Sequence, residues 1–245
     1  MTAEALDAVL GQAAREGWPP LEFARRLLGE AANRRRERSV ERRLREAHFR
    51  DPHTLETFDW QFNAAAIDRV QIEELASCAF VRRHDNLILV GQSGLGKSHL
   101  VQALGRAACV QGFRARYVTS AKLLQDLTAA LADHSLAARL RYWTAFELLI
   151  VDEFGFDRLE RQACAEAPQL LYKVIEGRHG QRSTVLVTNV DFEGWGEYLG
   201  DAPLAMAFLD RLVDGAIVLK LRGRSYRAAR ARSLGSEKSE EGKSK

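Results

Sequence analysis

The sequence has no apolar run near the 18 residues that a membrane-spanning helix requires, and its first residues do not form a basic, apolar leader. Both absences point to a cytoplasmic protein with no membrane partner. Cysteine is scarce as well. Cys78, Cys109 and Cys164 stand far apart and form no CxxC pair, so a disulfide framework is excluded and three buried thiols are expected. Neither sign of charge dominates, since 36 Lys and Arg face 33 Asp and Glu. What the chain does have is length and apolar content: 245 residues, 46% hydrophobic, enough for one substantial core and a small accessory element.

The small net charge hides an uneven distribution. Residues 34–50 hold eight arginines against three acids, and residues 222–245 hold eight basic residues against three acids. Such clusters suit nucleic-acid phosphates, whose neutralisation releases counterions. A solvated helix face is the competing reading, because Glu41 precedes Arg45 by four residues.

Residues 1–50 read as a helical, basic unit that contacts DNA or a partner. Leu6, Val9 and Leu10, then Leu21, Phe23, Leu27 and Leu28, recur at helical intervals interrupted by Trp18-Pro19-Pro20, which predicts a hairpin. A third helix is expected after it, with Val40, Leu44 and His48 as a narrow stripe docking on the other two. Residues 51–85 read as a linker and a first core helix, with Pro52 as breaker and Phe58, Trp60 and Phe62 free to pack down. Over 86–232, apolar runs at 86–90, 115–118, 148–152, 184–188 and 216–221 alternate with helical patterns at 97–110, 120–132, 161–177 and 203–213. Continuous apolar strands are buried on both faces, so the expected class is α/β, a mainly parallel sheet flanked by helices. The tail, 233–245, lacks apolar content and is expected to be disordered.

The stretch GQSGLGKSHL, 91–100, fits G-x-x-x-x-G-K-[ST] at Gly91, Gly96, Lys97 and Ser98, after a strand and before a helix. Glycines let backbone N–H groups converge on an anion, and the starting helix adds its positive end. Lys97 then reaches the β- and γ-phosphates, and the Ser98 hydroxyl is a Mg²⁺ ligand. A plain connecting turn would need neither residue. LLIVDE supplies Asp152 for the metal shell at a strand's carboxyl end, where open parallel sheets bind ligands, and Glu153 to orient and partly deprotonate water. Residues 152–155, DEFG, also fit the DxxG pattern of GTPases. An NKxD-type base reader is missing, because TNVD at 188–191 lacks the lysine, so adenine is favoured. Asn189 ends the fourth run, where its amide could bond the γ-phosphate or the attacking water.

On these residues the chain resembles the IstB family, AAA+ ATPases that accompany insertion-sequence transposases and are kin of DnaC-type helicase loaders. The resemblance runs through TLETFDW (54–60), the phosphate loop extended to GQSGLGKSHLVQALG (91–105), LLIVDEFGF (148–156), RHGQRSTVLVTN (178–189), WGEYLGD (195–201), LDRL (209–212) and GRSYR (223–227). It implies a P-loop AAA+ core of five parallel strands without a separate lid domain. It assigns phosphate contact to Gly91, Gln92, Ser93, Gly94, Leu95, Gly96, Lys97 and Ser98, with His99 adjoining, metal to Ser98 and Asp152, catalysis to Glu153, and a sensor role to Asn189. Arg211, in LDRL, becomes the arginine offered to a neighbouring subunit's γ-phosphate, with Arg178 in reserve; on its own helix Arg211 would pair with Asp214. Arg227 is a further sensor candidate.

Ser98 stands where the family usually has threonine, and His179, Asp214 and Gly215 also depart from its pattern. The function implied is an ATP hydrolase that oligomerises on double-stranded DNA with ATP and Mg²⁺ and delivers that target to a transposase. A helicase loader and a non-hydrolysing ATP-switched scaffold are the alternatives. Arg34, Arg35, Arg36, Arg42, Arg43 and Lys122 are the expected DNA contacts.

Overall fold

The computed structural model describes residues 3–64, 66–155 and 166–230. Cys164, residues 161–165 of one expected helix and the tail from 233 lie outside the described residues. The five expected strands all form: β1 Leu87–Val90, β2 Ala115–Thr119, β3 Leu148–Phe154, β4 Ser183–Thr188 and β5 Ile217–Lys220. They make one parallel sheet in the order β2-β3-β4-β1-β5. Period-two alternation splits the core in two. Leu87 and Leu89 join Leu148, Ile150, Val185 and Val187 on one face, whereas Ile88 and Val90 join Leu149, Val151 and Leu186 on the other.

The first face is covered by α3 (Arg69–Ala76), α4 (Ala79–Arg82) and α5 (Lys97–Gln111). The second is covered by α6 (Ser120–Ala132), α7 (Leu136–Thr144), α8 (Ala167–Glu176), α9 (Trp195–Leu199) and α10 (Ala202–Val213). Cys78 and Cys109 are buried in the first layer, and burial pushes the Cys78 thiol up to about 11. Among the described residues no helix is long and apolar enough to cross a membrane.

The N-terminal region differs from expectation in two ways. Two helices form rather than three: α1 (Ala3–Glu16) ends before Trp18-Pro19-Pro20, and α2 (Pro20–Ala47) then runs 28 residues without a break. Its middle is rich in Arg, Glu and Ala, strong helix formers, and a lone Gly29 costs too little to interrupt it. The stripe carrying Leu44 also docks elsewhere. Leu44 packs against the first core layer, Arg43 Nε donates to Cys109 O (2.8 Å), and Arg116 Nη1 donates to Glu46 O (2.8 Å). The end of α2 is thus seated on α5 and β2, while Leu21 and Leu28 remain exposed at 82% and 69%.

Arg178 is buried at 1% exposure just beyond α8. Its Nη1 donates to Phe146 O (2.8 Å), Trp143 O (3.2 Å) and Thr144 O (3.4 Å), its Nε to Thr184 Oγ1 (3.0 Å), and its Nη2 to Ser183 O. This guanidinium closes the backbone between α7, β3 and β4 and cannot be offered to another subunit, which corrects its reserve candidacy. Burial disfavours its charge and lowers its pKa, and the carbonyl acceptors compensate. Arg178→Ala, which strands several buried carbonyls, is expected to cost at least about 3 kcal/mol in urea unfolding. An unchanged midpoint would contradict this reading.

Candidate functional site

β1 lies between β4 and β5, although the helix that follows it leads to β2 at the far edge. The order reverses at β1, and open parallel sheets bind ligands at such a switch point, beyond the strands' carboxyl ends. A cleft of about 440 Å³ opens there. The phosphate loop forms its floor, Asp152, Glu153 and Asn189 stand at the ends of the neighbouring strands, and the linker and residues 226–230 supply the walls.

The loop is shaped by its glycines. Gly94 and Gly96 both have φ of +84°, the left-handed region that disfavours other residues. A Cβ on Gly96 would lie 2.7 Å from the Phe58 ring, and one on Gly94 would strike Ser225. Gly96 is the cap of α5, so the free N–H groups of that helix face the cleft. Lys97 is buried at 8%, its Nζ bonded to Gly91 O (2.5 Å) and Gln92 O (2.8 Å). Burial lowers its pKa, Asp152 opposes that shift, and Arg227 adds to it. Lys97, Asp152 and Arg227 therefore share one electrostatic environment. Tyr226 N donates to Gly94 O (2.8 Å), laying the C-terminal segment along the loop, and Asn63 Nδ2 donates to Arg224 O (2.9 Å), tying that segment to the linker. Phe62 meets Tyr226 edge to face at 5.0 Å, so aromatic surface lines this end of the cleft.

The two acids are held differently. The β3–β4 register shifts between Val151 and Phe154, a bulge that re-aims the intervening side chains. Asp152 is 1% exposed; its Oδ2 accepts from the Tyr117 hydroxyl (2.7 Å) and its Oδ1 from Glu153 N (2.8 Å). Burial first, then the adjacent carboxylate, push the Tyr117 phenol far above its ordinary range, so it remains a donor. Glu153 has φ of +60°, a conformation that costs a non-glycine residue energy and recurs at functional positions. Its exposed carboxylate accepts from Arg50 Nη1 at 3.0 Å.

Arg211 sits at the opposite end of the sheet. Its carbonyl accepts from Asn86, just before β1, and from His179 Nδ1 at 3.0 Å. Its Nη1 bonds Asp210 (2.7 Å) rather than Asp214, whose carboxylate lies 3.8 Å from His179 Nε2. Of the expected DNA contacts, Arg35, Arg36 and Lys122 are exposed, Arg34 and Arg42 lie near Glu30 and Glu46, and Arg43 is turned inward to Ser39 and Cys109. Arg43 is therefore withdrawn from that surface, because its guanidinium anchors α2. Tyr117, Arg50, Gln102 and Asn63 were not anticipated at the cleft: their partners lie 35 to 161 residues away, and no local spacing marks them.

The family model described as IstB-like ATP binding protein matches residues 1–234. A protein named as an ATP-binding protein of insertion sequence IS21 in Pseudomonas aeruginosa is 36% identical over 230 residues, 94% of this chain and 85% of that one. One named as an ATP-binding protein in an insertion sequence of Mycobacterium tuberculosis is 30% identical, over 91% and 88% of the two chains. Among solved structures, that of DnaI superposes with a TM-score of 0.58 at 18% identity, over 70% of this chain and 92% of the other, a likeness of fold.

The Tyr117–Asp152 bond yields a test of its own. Tyr117→Phe removes a buried donor from a carboxylate and is expected to cost about 2 kcal/mol in urea unfolding without nucleotide. A loss under about 0.5 kcal/mol would mean that the bond does not hold Asp152.

Proposed function

Since the chain belongs to the family of IstB-like ATP binding proteins, an AAA+ P-loop family associated with insertion sequences, we propose that it hydrolyses ATP to assemble on duplex DNA and deliver that target to a partner transposase. The observation that carries this reading is the convergence of Lys97, Asp152 and Glu153 on one cleft at the switch point of the sheet. Backbone N–H groups from Gly91 to Ser98 and the Lys97 ammonium take the phosphates. The base enters between Phe58, Phe62 and Tyr226, whose rings suit a purine.

Ser98 and Asp152 are hard oxygen donors. Among the described residues no group of three or more His, Cys, Asp or Glu is placed to hold a metal. Such a sparse donor set fits Mg²⁺, which keeps waters and takes phosphate oxygens as its remaining ligands. Bound there, the ion would neutralise charge on the phosphates. Glu153 orients the attacking water and accepts its proton, and Asn189, at the end of β4, bonds that water or the γ-phosphate.

Arg211, at the end of the sheet away from its own cleft, serves the γ-phosphate of a neighbouring subunit in this reading. An arginine supplied in trans raises phosphoryl-transfer rates by about 10³ to 10⁵, so hydrolysis depends on assembly. Duplex DNA follows the exposed face of α2 through Arg35 and Arg36, with Arg34, Arg42 and Lys122 beside it. His48, at the end of that helix, has its pKa lowered by burial and then by Arg116 and Lys122, a sign of the positive field there. Insertion-sequence relatives at 36% identity favour this role over helicase loading, for which the likeness is one of fold.

Lys97→Ala is expected to weaken ATP binding at least a hundredfold by calorimetry, whereas Glu153→Gln binds ATP and fails to hydrolyse it. Reversing Arg35 and Arg36 to Glu should reduce the slope of log affinity for duplex DNA against log salt by about 2. Wild-type affinity for ATP in the Lys97 variant, or an unaltered slope in the charge-reversed one, would overturn the corresponding assignment.

A further inference from the structure

We propose that Arg50 is a positioning residue for hydrolysis, which restrains Glu153 through their ion pair and releases it when a DNA phosphate takes the guanidinium instead. The inference rests on the proposed function and assigns its regulation to one side chain.

The backbone around Arg50 has little slack. α2 ends at Ala47, and His48 turns the chain with a left-handed cap, φ +56°. The Phe49 ring then lies against Gly105, where a Cβ would come within 2.7 Å of both Phe49 and Ile150. The N–H groups of Arg50 and Asp51 both donate to Gln102 Oε1, at 2.9 and 3.2 Å. Gln102 is 1% exposed and its own amide donates to Ser98 O, so the chain entering the site is pinned to the helix that begins at Lys97. From that anchor Arg50 reaches across to Glu153, 103 residues on in sequence.

The pair itself is easily broken. Both side chains are about half exposed, 54% and 45%, and such pairs contribute little to stability. Asp152 beside it is buried and doubly bonded, so one acid is fixed and the other is releasable. A carboxylate whose oxygen is held by a guanidinium has one lone pair fewer for water and is turned toward its partner. Arg50 also closes the arginine run of residues 34–50, three residues beyond α2, so a duplex drawn to Arg35, Arg36 and Arg42 brings phosphates toward it. Arginine binds phosphate in the same bidentate fashion as carboxylate, so the exchange costs it no hydrogen bonds.

Steady-state ATP hydrolysis by wild type, Arg50→Ala and Arg50→Lys, each without DNA and with saturating short duplex, tests the proposal. Arg50→Ala should raise the DNA-free kcat about two- to fivefold, the range that an exposed ion pair can hold back. KM for ATP should stay within about twofold, the stimulation by DNA should shrink by the same factor as the basal rise, and Arg50→Lys should fall between. A fall in kcat with and without DNA would make Arg50 part of the reacting site and overturn the restraint. A rise in KM alone would assign Arg50 to nucleotide phosphate and overturn it too. If DNA leaves wild-type hydrolysis unchanged, the DNA part of the proposed function fails. The DNA-free arm still decides the restraint: a raised basal rate supports it and an unraised one removes it.

Discussion

The turn from β1 into α5 is the constraint on which the site depends. Gly96 must adopt a left-handed conformation beneath the Phe58 ring, and only then do the first N–H groups of α5 and the Lys97 ammonium face one space. The strand before the turn is buried on both faces, and the loop is tied to β4 through Gly91 N and Thr188 O (3.2 Å). The rigidity of the sheet thereby passes to the cradle. A cation held at 8% exposure against two carbonyls has given up much of its hydration in advance, as a preorganised phosphate site requires.

The cradle is coupled to the rest of the chain by unlike connections on its two sides. Toward the sheet, Tyr117 and the Glu153 N–H immobilise Asp152, with no slack for reorientation. Toward the surface, the linker and the C-terminal segment are joined by Asn63 and Arg224 and by Phe62 and Tyr226, and Arg50 bridges to Glu153. In the proposed function, the groups assigned to the phosphates and the metal are buried, and those assigned to water and entry are exposed. This is the division expected of an ATPase whose turnover answers to a partner.

The sheet was legible in the sequence because each strand is a short apolar run buried on both faces, a pattern that needs no knowledge of neighbours. The glycine-shaped turn from β1 into α5 was legible because its pattern lies in adjacent residues, and the place of Asp152 and Glu153 because they fall near the carboxyl end of β3. Long-range side-chain geometry was not. The second and third N-terminal helices expected from periodicity merge into α2, since the apolar signal weakens across an arginine-rich stretch whose helix propensity stays high. Arg178 was the reserve candidate for a neighbouring subunit, yet it bonds carbonyls of α7, of the turn before β3 and of β4, 5 to 35 residues away. Arg43 and Arg50 belong to one charge run, and packing alone sends the first inward to Cys109 and the second across to Glu153.

The central claim is that this cradle holds a magnesium-bound adenine nucleotide. Titration calorimetry of the purified full chain with ATP, compared with GTP and with ATP in the presence of a magnesium chelator, addresses it directly. Saturable 1:1 binding of ATP that weakens at least tenfold for GTP and on removal of Mg²⁺ is the predicted result. Absence of ATP binding with Mg²⁺ present, or equal affinity for the two nucleotides regardless of the ion, would contradict the account.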